Sequence, residues 1–310
     1  MAEEKKYLYG PVPSRRLHRS LGVDIVPFKV CTLDCIYCQI GRTSKKTIER
    51  SEYVPLKPVL DELTTMVARG LQADFITISG SGEPTLNSRL GELIAGIKQL
   101  TDIPVAVLTN GTLLYRDDVR ADCAQADVVL PSLDAADQDT FRKINRPHPD
   151  ISIEMLIAGL SAFRNEFAGR IWLEVFLVEG VNTAADQLAP IKHAIDRIRP
   201  DKVQLNTAVR PTAQPGLKRL SAEKLHAIAA QLSTKAEVIA DFSSLAGGKH
   251  IQHKAQDLLS MLKRRPCTLS DICSALGIPP AEALKYLAHF QQHGLVDSTE
   301  KDRTTFFTAN

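Results

Sequence analysis

Cys31-Thr-Leu-Asp-Cys35-Ile-Tyr-Cys38 brings three thiols into eight residues, with an aromatic ring just before the last. Thiolates bind soft metals, and a structural zinc ion takes four ligands, commonly two C-x-x-C units or one C-x-x-C with paired histidines. Here three ligands are local and no second pair answers them. A four-iron cluster takes one cysteine per iron. Three cysteines would leave one iron without a protein ligand and open to a small molecule, which suits catalysis rather than structure. The residues alone also admit a structural zinc site, or reduced cysteines clustered by chance. Cys123, Cys267 and Cys273 are either ligands of a second cluster or buried free cysteines; their spacing matches no cluster motif and free cysteine is a common small apolar core residue, which favours the second.

The C-x3-C-x2-C spacing with Tyr37 in the penultimate position resembles the signature of the radical S-adenosylmethionine (SAM) superfamily. The resemblance implies a [4Fe-4S] cluster held by Cys31, Cys35 and Cys38, with SAM chelated at the remaining iron. It implies reductive cleavage of SAM to methionine and a 5′-deoxyadenosyl radical that takes hydrogen from a substrate, with flavodoxin or ferredoxin as electron donor.

A second segment, Ser79-Gly-Ser-Gly-Glu-Pro84-Thr, resembles the superfamily's G-G-E-P element, which meets the SAM ammonium. Gly80, Ser81, Gly82, Glu83 and Pro84 are thereby SAM-binding candidates, with Ser81 standing where that element has its first glycine. By the same resemblance Asn110, after the third strand, faces the SAM cavity, and Ser132 and Asp134, after the fourth, match positions that meet the ribose. Ordinary turn chemistry would place Gly, Pro, Asn, Ser and Asp at the same points.

These groups need a scaffold that gathers strand ends. Short β-rich runs at 22–28, 74–79, 103–108, 126–132, 171–178 and 202–205 alternate with amphipathic stretches at 56–69, 90–100, 136–144, 152–163 and 184–198. Six β-then-α units predict an α/β fold of parallel strands with right-handed crossovers, as an open sheet or a barrel. The resemblance implies a partial (β/α)6 barrel of TIM type, open on one side. The cysteine loop follows the first strand and Gly80–Pro84 the second, both at the carboxyl ends, where such folds keep their active sites. Strict alternation in the fifth strand puts Trp172, Glu174, Phe176 and Val178 on one face, and a glutamate inside a barrel must be paired or bound to ligand.

Residues 243–249 read as a linker, dividing a first domain over 1–248 from a second over 249–310. The second reads as helices at 254–264, 269–276 and 281–293, followed by a hairpin of 295–298 with 304–308, a winged-helix layout. Over 251–310 seven Lys/Arg stand against six Asp/Glu, which is not the basic stripe of a phosphate binder. A docking or regulatory role for the winged helix, with a protein partner, is favoured over DNA reading.

The 310 residues are 44% hydrophobic and 24% charged with six cysteines, an ordinary globular balance and no disulfide scaffold. The charged start MAEEKKYLYG has no apolar core of a signal peptide, and no run approaches a membrane span, so a cytoplasmic protein with no membrane partner is expected. Arg15, Arg16 and Arg19 precede the first strand, Arg42, Lys45 and Lys46 follow the cluster loop, and Arg210 follows the sixth strand. Guanidinium groups grip carboxylates and phosphates in bidentate fashion, so an anionic substrate, or the SAM carboxylate, is the functional reading of these cations.

Residues 7–38, the Ser79–Thr85 segment and Lys143-Ile-Asn-Arg-Pro are similar to a radical SAM group akin to the wyosine-base (tRNA) synthase-like iron–sulfur oxidoreductases. That similarity covers most of 7–211 and names no substrate. The leading expectation is a radical SAM enzyme. The alternatives are a tRNA-modifying member of that superfamily, and an iron–sulfur sensor that binds DNA through the winged helix.

Overall fold

Aliphatic and β-branched runs such as Phe75-Ile-Thr-Ile78 and Val105-Ala-Val-Leu108 are covered on both faces, as strands of a parallel sheet must be. The computed structural model describes residues 7–209, 212–240, 254–278, 280–302 and 304–310. In chain order the first part comprises β1 (Leu8–Ser14), β2 (His18–Val23), β3 (Val30–Cys31), β4 (Lys45–Lys46), α1 (Leu56–Ala68), β5 (Phe75–Ile78), α2 (Leu90–Leu100), β6 (Val105–Leu108) and α3 (Asp117–Cys123). It continues with β7 (Val128–Leu130), α4 (Gln138–Ile144), α5 (Ile153–Glu166), β8 (Arg170–Leu177), α6 (Ala185–Ile198), β9 (Lys202–Thr207), α7 (Ala222–Leu232) and β10 (Ala236–Val238).

One sheet runs in the order β1-β2-β5-β6-β7-β8-β9-β10. Every pairing from β2 to β10 is parallel, and only β1 joins antiparallel. β1 and β10 are the two ends of that order, so the sheet stays open. Its outer face packs Ile76, Ile78, Val105, Val107 and Val129 against the helices in one large core. Its inner face carries Phe75, Ala106, Val128, Leu130 and Trp172, closed over by Leu17 from the β1–β2 turn. The α/β sheet of βα units is thus as the sequence predicts, with β10 as a further parallel strand.

One expectation changes. The first parallel strand is His18–Val23 rather than 22–28. The chain leaves the ladder at Asp24, whose carboxylate accepts from the backbone N–H of Ser81 at 3.2 Å and from its hydroxyl. The residues before β2 form a further strand, β1, which pairs with β2 from Leu8↔Val23 to Ser14↔His18 and leaves Arg15 and Arg16 in the turn between them.

The C-terminal part holds α8 (Lys254–Leu262), β11 (Cys267–Thr268), α9 (Leu269–Leu276), α10 (Pro280–Gln292), β12 (Val296–Lys301) and β13 (Thr304–Ala309). Thr268 caps α9 by accepting from Asp271 N while the Asp271 carboxylate accepts from Thr268 N, a reciprocal cap that satisfies two end donors. Leu258, Leu262, Ile272, Leu276, Leu287 and Phe290 form a separate core beneath the hairpin, the winged-helix arrangement. The linker at 243–249, with the 248/249 boundary, and Arg210 lie outside the described residues.

The winged helix sits on β1. Val12 packs against its core, Arg264 pairs with Asp24, and Lys301 Nζ donates to Ala208 O at 2.6 Å.

Candidate functional site

The cysteine loop and the glycine loop are sewn together by backbone. Lys29 N donates to Ser81 O at 2.7 Å and Glu83 N to Val30 O at 3.1 Å. The approach is close enough that a Cβ on Gly82 would stand 2.0 Å from Val30 O. Gly80 has φ +134 and faces the Asp24 carboxylate, where a Cβ would stand 2.5 Å from Cγ. Both positions therefore require glycine.

Cys31, Cys35 and Cys38 line one cavity of about 410 Å³ together with Gly80 and Gly82. The three thiols are half-buried and not disulfide-bonded. Each meets a side-chain donor: Asn110 Nδ2 at 3.5 Å from Cys31, Asn145 Nδ2 at 3.4 Å from Cys35, and Lys29 Nζ at 3.2 Å from Cys38. Burial, and after it the Glu83 carboxylate, pushes the Cys31 thiol up to about 12, and burial pushes Cys35 well above its ordinary value. Charge on these sulfurs is therefore favoured only with a cation beside them.

This donor set fits a cluster. Three thiols share a cavity, and each sulfur has an N–H donor. Among the described residues, no group of three or more His, Cys, Asp or Glu converges on a single-ion site. A cubane presents its irons at separate corners, so its thiolates stand further apart than those around one zinc ion.

The other predicted residues form a layer behind the cavity. Glu83 is buried, its Oε1 accepting from Thr85 N at 3.1 Å and from the Thr85 and Thr109 hydroxyls at 2.6 Å. Its Oε2 accepts from Asn110 N at 2.7 Å, and burial raises its carboxyl above the ordinary value. Pro84, also buried, opens the short helical turn that Glu83 caps. Asn110 donates to the Thr32 hydroxyl at 2.7 Å and accepts from Thr112 N at 3.0 Å, which pins the third-strand loop to the cysteine loop.

Asp134 is buried beneath Tyr37. Its Oδ1 accepts from Phe176 N at 2.8 Å, and its Oδ2 from Asn145 Nδ2 at 2.7 Å and from the Tyr37 hydroxyl. Burial raises its carboxyl to about 6. The Tyr37 ring stacks on Phe176 with centroids 3.9 Å apart, so Asp134 orients the cysteine loop's aromatic residue. Ser132 leaves β7 in a bridge with Glu174.

Of the basic residues singled out in the sequence, Arg15 and Arg16 reach the cavity. Arg42 instead pairs with Asp34 at 3.3 Å, and Lys46 donates to Arg146 O at 3.1 Å. Cys123 and Cys267 are buried in the two separate cores.

Sequence reasoning missed Asp24, Arg50 and Asn145. Arg50 donates to Thr85 O at 2.9 Å and Asn87 O at 3.1 Å while pairing with Asp118 and Asp122, and so holds the segment after Glu83. Nothing in the sequence distinguishes it from a solvated arginine. Asn145 had a signal, since it lies in the Lys143-Ile-Asn-Arg-Pro segment.

Residues 25–188 match the family model of the radical SAM superfamily, and 254–300 that of the IclR helix-turn-helix domain. A UPF0026 protein of Helicobacter pylori strain J99 is 31% identical over 320 residues, covering 100% of both chains. A UPF0026 protein of Methanocaldococcus jannaschii is 34% identical, over 74% of this chain and 71% of its own. A Brachyspira hyodysenteriae protein named GTPase Obg is 36% identical over 94% of this chain, which spans 43% of that relative's length. Among solved structures, TYW1 with a lysine-pyruvate adduct shares the fold at TM-score 0.53 and 21% identity, over 70% of this chain and 74% of its own. Streptococcus suis SuiB bound to S-adenosylmethionine does so at TM-score 0.53 and 15% identity, over 71% of this chain and 50% of its own.

Proposed function

Since the chain belongs to the radical SAM superfamily and to the UPF0026 proteins, we propose that it is an enzyme that binds a [4Fe-4S] cluster at Cys31, Cys35 and Cys38 and cleaves SAM to start hydrogen abstraction from a substrate. The observation that carries this reading is the meeting of three thiols with a glycine loop that tolerates no side chain, around one cavity. When bound, the cluster supplies the electron for reductive cleavage of the SAM sulfonium.

The chain's own residues hold and orient. Lys29, Asn110 and Asn145 offer N–H groups to the three sulfurs and temper their charge. Gly80 and Gly82 let the Asp24 carboxylate and the Val30 carbonyl close on the loop, and Asp24 fixes the Ser81 peptide between them. Tyr37, stacked on Phe176, walls the cavity beside Cys38. Enclosure on these sides keeps water from a reactive radical.

The test is anaerobic reconstitution of the full chain. About four irons per chain are expected, with loss of the cluster absorbance in Cys31→Ala, Cys35→Ala and Cys38→Ala. Reduction in the presence of SAM should release 5′-deoxyadenosine. A reduced, fully loaded protein that leaves SAM intact refutes the reading.

The winged helix is assigned a role inside the enzyme. Met261 and Arg264, at and just past the end of α8, line the same cavity as the cysteines. A module that served only to read DNA would have no reason to do so. Its removal should alter the cavity rather than merely abolish nucleic-acid binding, which a gel shift with and without residues 254–310 would separate.

A further inference from the structure

We infer that the winged helix positions both loops of the proposed cofactor site, so that its docking and the binding of SAM are coupled. It grips the sheet at two places. α8 and α9 lie on β1, one end of the open sheet, and the turn between β12 and β13 reaches the exit of β9, beside the other end.

The first grip ends on the glycine loop. Arg264, just past α8, donates to the Asp24 carboxylate, which accepts from Ser81 N at 3.2 Å. The same guanidinium lies 3.8 Å over the Tyr9 ring, and the Tyr9 and Ser79 hydroxyls are 2.8 Å apart. The Tyr9 ring is pressed on Gly22, where a Cβ would stand 2.0 Å from its Cζ. One arginine of the winged helix therefore holds the residues on both sides of Gly80. Part of the hook is the Ser81 hydroxyl, which donates to Asp24; a glycine there, as in the G-G-E-P element, would offer none.

The second grip ends on the cysteine loop. Lys301 Nζ donates to Ala208 O at 2.6 Å, and the Asp302 carboxylate is 3.0 Å from Arg219 Nε. Between Ala208 and Arg219, Ala213 N donates to Cys38 O at 2.8 Å and Gln214 N to Ile36 O at 2.9 Å. Arg146 adds a bond to Gln214 Oε1 at 2.6 Å. The hairpin turn thus bears on carbonyls of the cysteine loop through one stretch of chain. Lys301 and Asp302 do not line the cavity, so any effect of theirs on a ligand there passes through these docked contacts. An element that orders a site lowers the ordering cost a ligand meets, and the ligand strengthens that element's docking by the same factor.

The inference takes its ligand from the proposed function, but its first measurement does not. Lys301→Met with Asp302→Asn removes the second grip and keeps the turn, since asparagine accepts the φ of +50 at position 302. In the metal-free full chain, hydrogen exchange read by mass spectrometry should quicken severalfold over 29–38, with β6 unchanged. In the reconstituted chain the same variant should bind SAM about tenfold more weakly. SAM added to the reconstituted wild type should slow exchange over 254–276. Unchanged exchange over 29–38 overturns the inference even if SAM is cleaved. So does an unaltered SAM affinity in the variant, or exchange over 254–276 that ignores bound SAM; either would leave the winged helix a structural support. A loaded wild type that binds no SAM would refute the proposed function instead, and the metal-free exchange would still judge the grip on the cysteine loop. Should the variant fail to fold, wild-type exchange with and without SAM decides alone.

Discussion

Asp24→Asn tests whether the winged helix and the glycine loop are joined through one carboxylate. Asp24 holds Ser81 on one side and Arg264 on the other, and the side chains of the pair are 10% and 17% exposed. An asparagine keeps one oxygen for Ser81, so the loop should lose about 1 kcal/mol. Toward Arg264 the change is harsher, because the charge goes and an amide N–H₂ can face a guanidinium.

Removing one partner of a fully buried pair costs about 3–5 kcal/mol. The residual exposure, and the Tyr9 ring that still faces Arg264, lower this to about 2–3 kcal/mol. Docking of α8 and α9 on β1 should then weaken by about 30- to 150-fold. Hydrogen exchange read by mass spectrometry would show faster opening in peptides from 254–276 and β1, less in 79–86, and none in β6. In a double-mutant cycle with Arg264→Met, the second change should cost little once the first is made. Unchanged exchange over 254–276, or energies additive within about 0.5 kcal/mol, would refute the reasoning.

Gly82→Ala places a methyl 2.0 Å from Val30 O, and since both loops are backbone there, one must move. Iron incorporation should fall severalfold, and the midpoint of thermal unfolding should fall with it because Val30 belongs to the main core; an unaltered iron count would contradict the close approach. Asp134 has its carboxyl raised from 3.8 to about 6 by burial, so the stabilisation its acid form gives is complete below pH 3.8 and lost as the pH rises through 6. Urea unfolding of metal-free wild type relative to Asp134→Asn should accordingly lose about 3 kcal/mol between about pH 4 and 7, and a flat difference would place the carboxylate in a better-solvated setting.

The chemistry that is local in sequence could be read there. Three cysteines within eight residues and two glycines in Ser79–Thr85 keep their spacing whatever the rest of the chain does. Alternating strand and helix periods likewise marked the parallel sheet and the winged helix, since burying one face of an element leaves its period in the residues. Charged groups leave no such trace. Arg15, Arg50 and Arg264 look alike in sequence, yet one reaches the cavity beside Asn206, one clamps the turn after Glu83 and one crosses 240 residues to Asp24.

Glu83, Asn110 and Asp134, ligand candidates by sequence, stand in the layer next to the cavity wall, each hydrogen-bonded to neighbouring N–H or O–H groups, and Asn110 also reaches the Cys31 sulfur. The sequence alone thus determined the superfamily and the fold that gathers its cysteines and glycines. Only the tertiary structure decided which cations share the cysteines' cavity and that the winged helix supplies part of its wall. A long flexible side chain acquires its role from the three-dimensional neighbours that desolvate and pair it, and no local pattern encodes them.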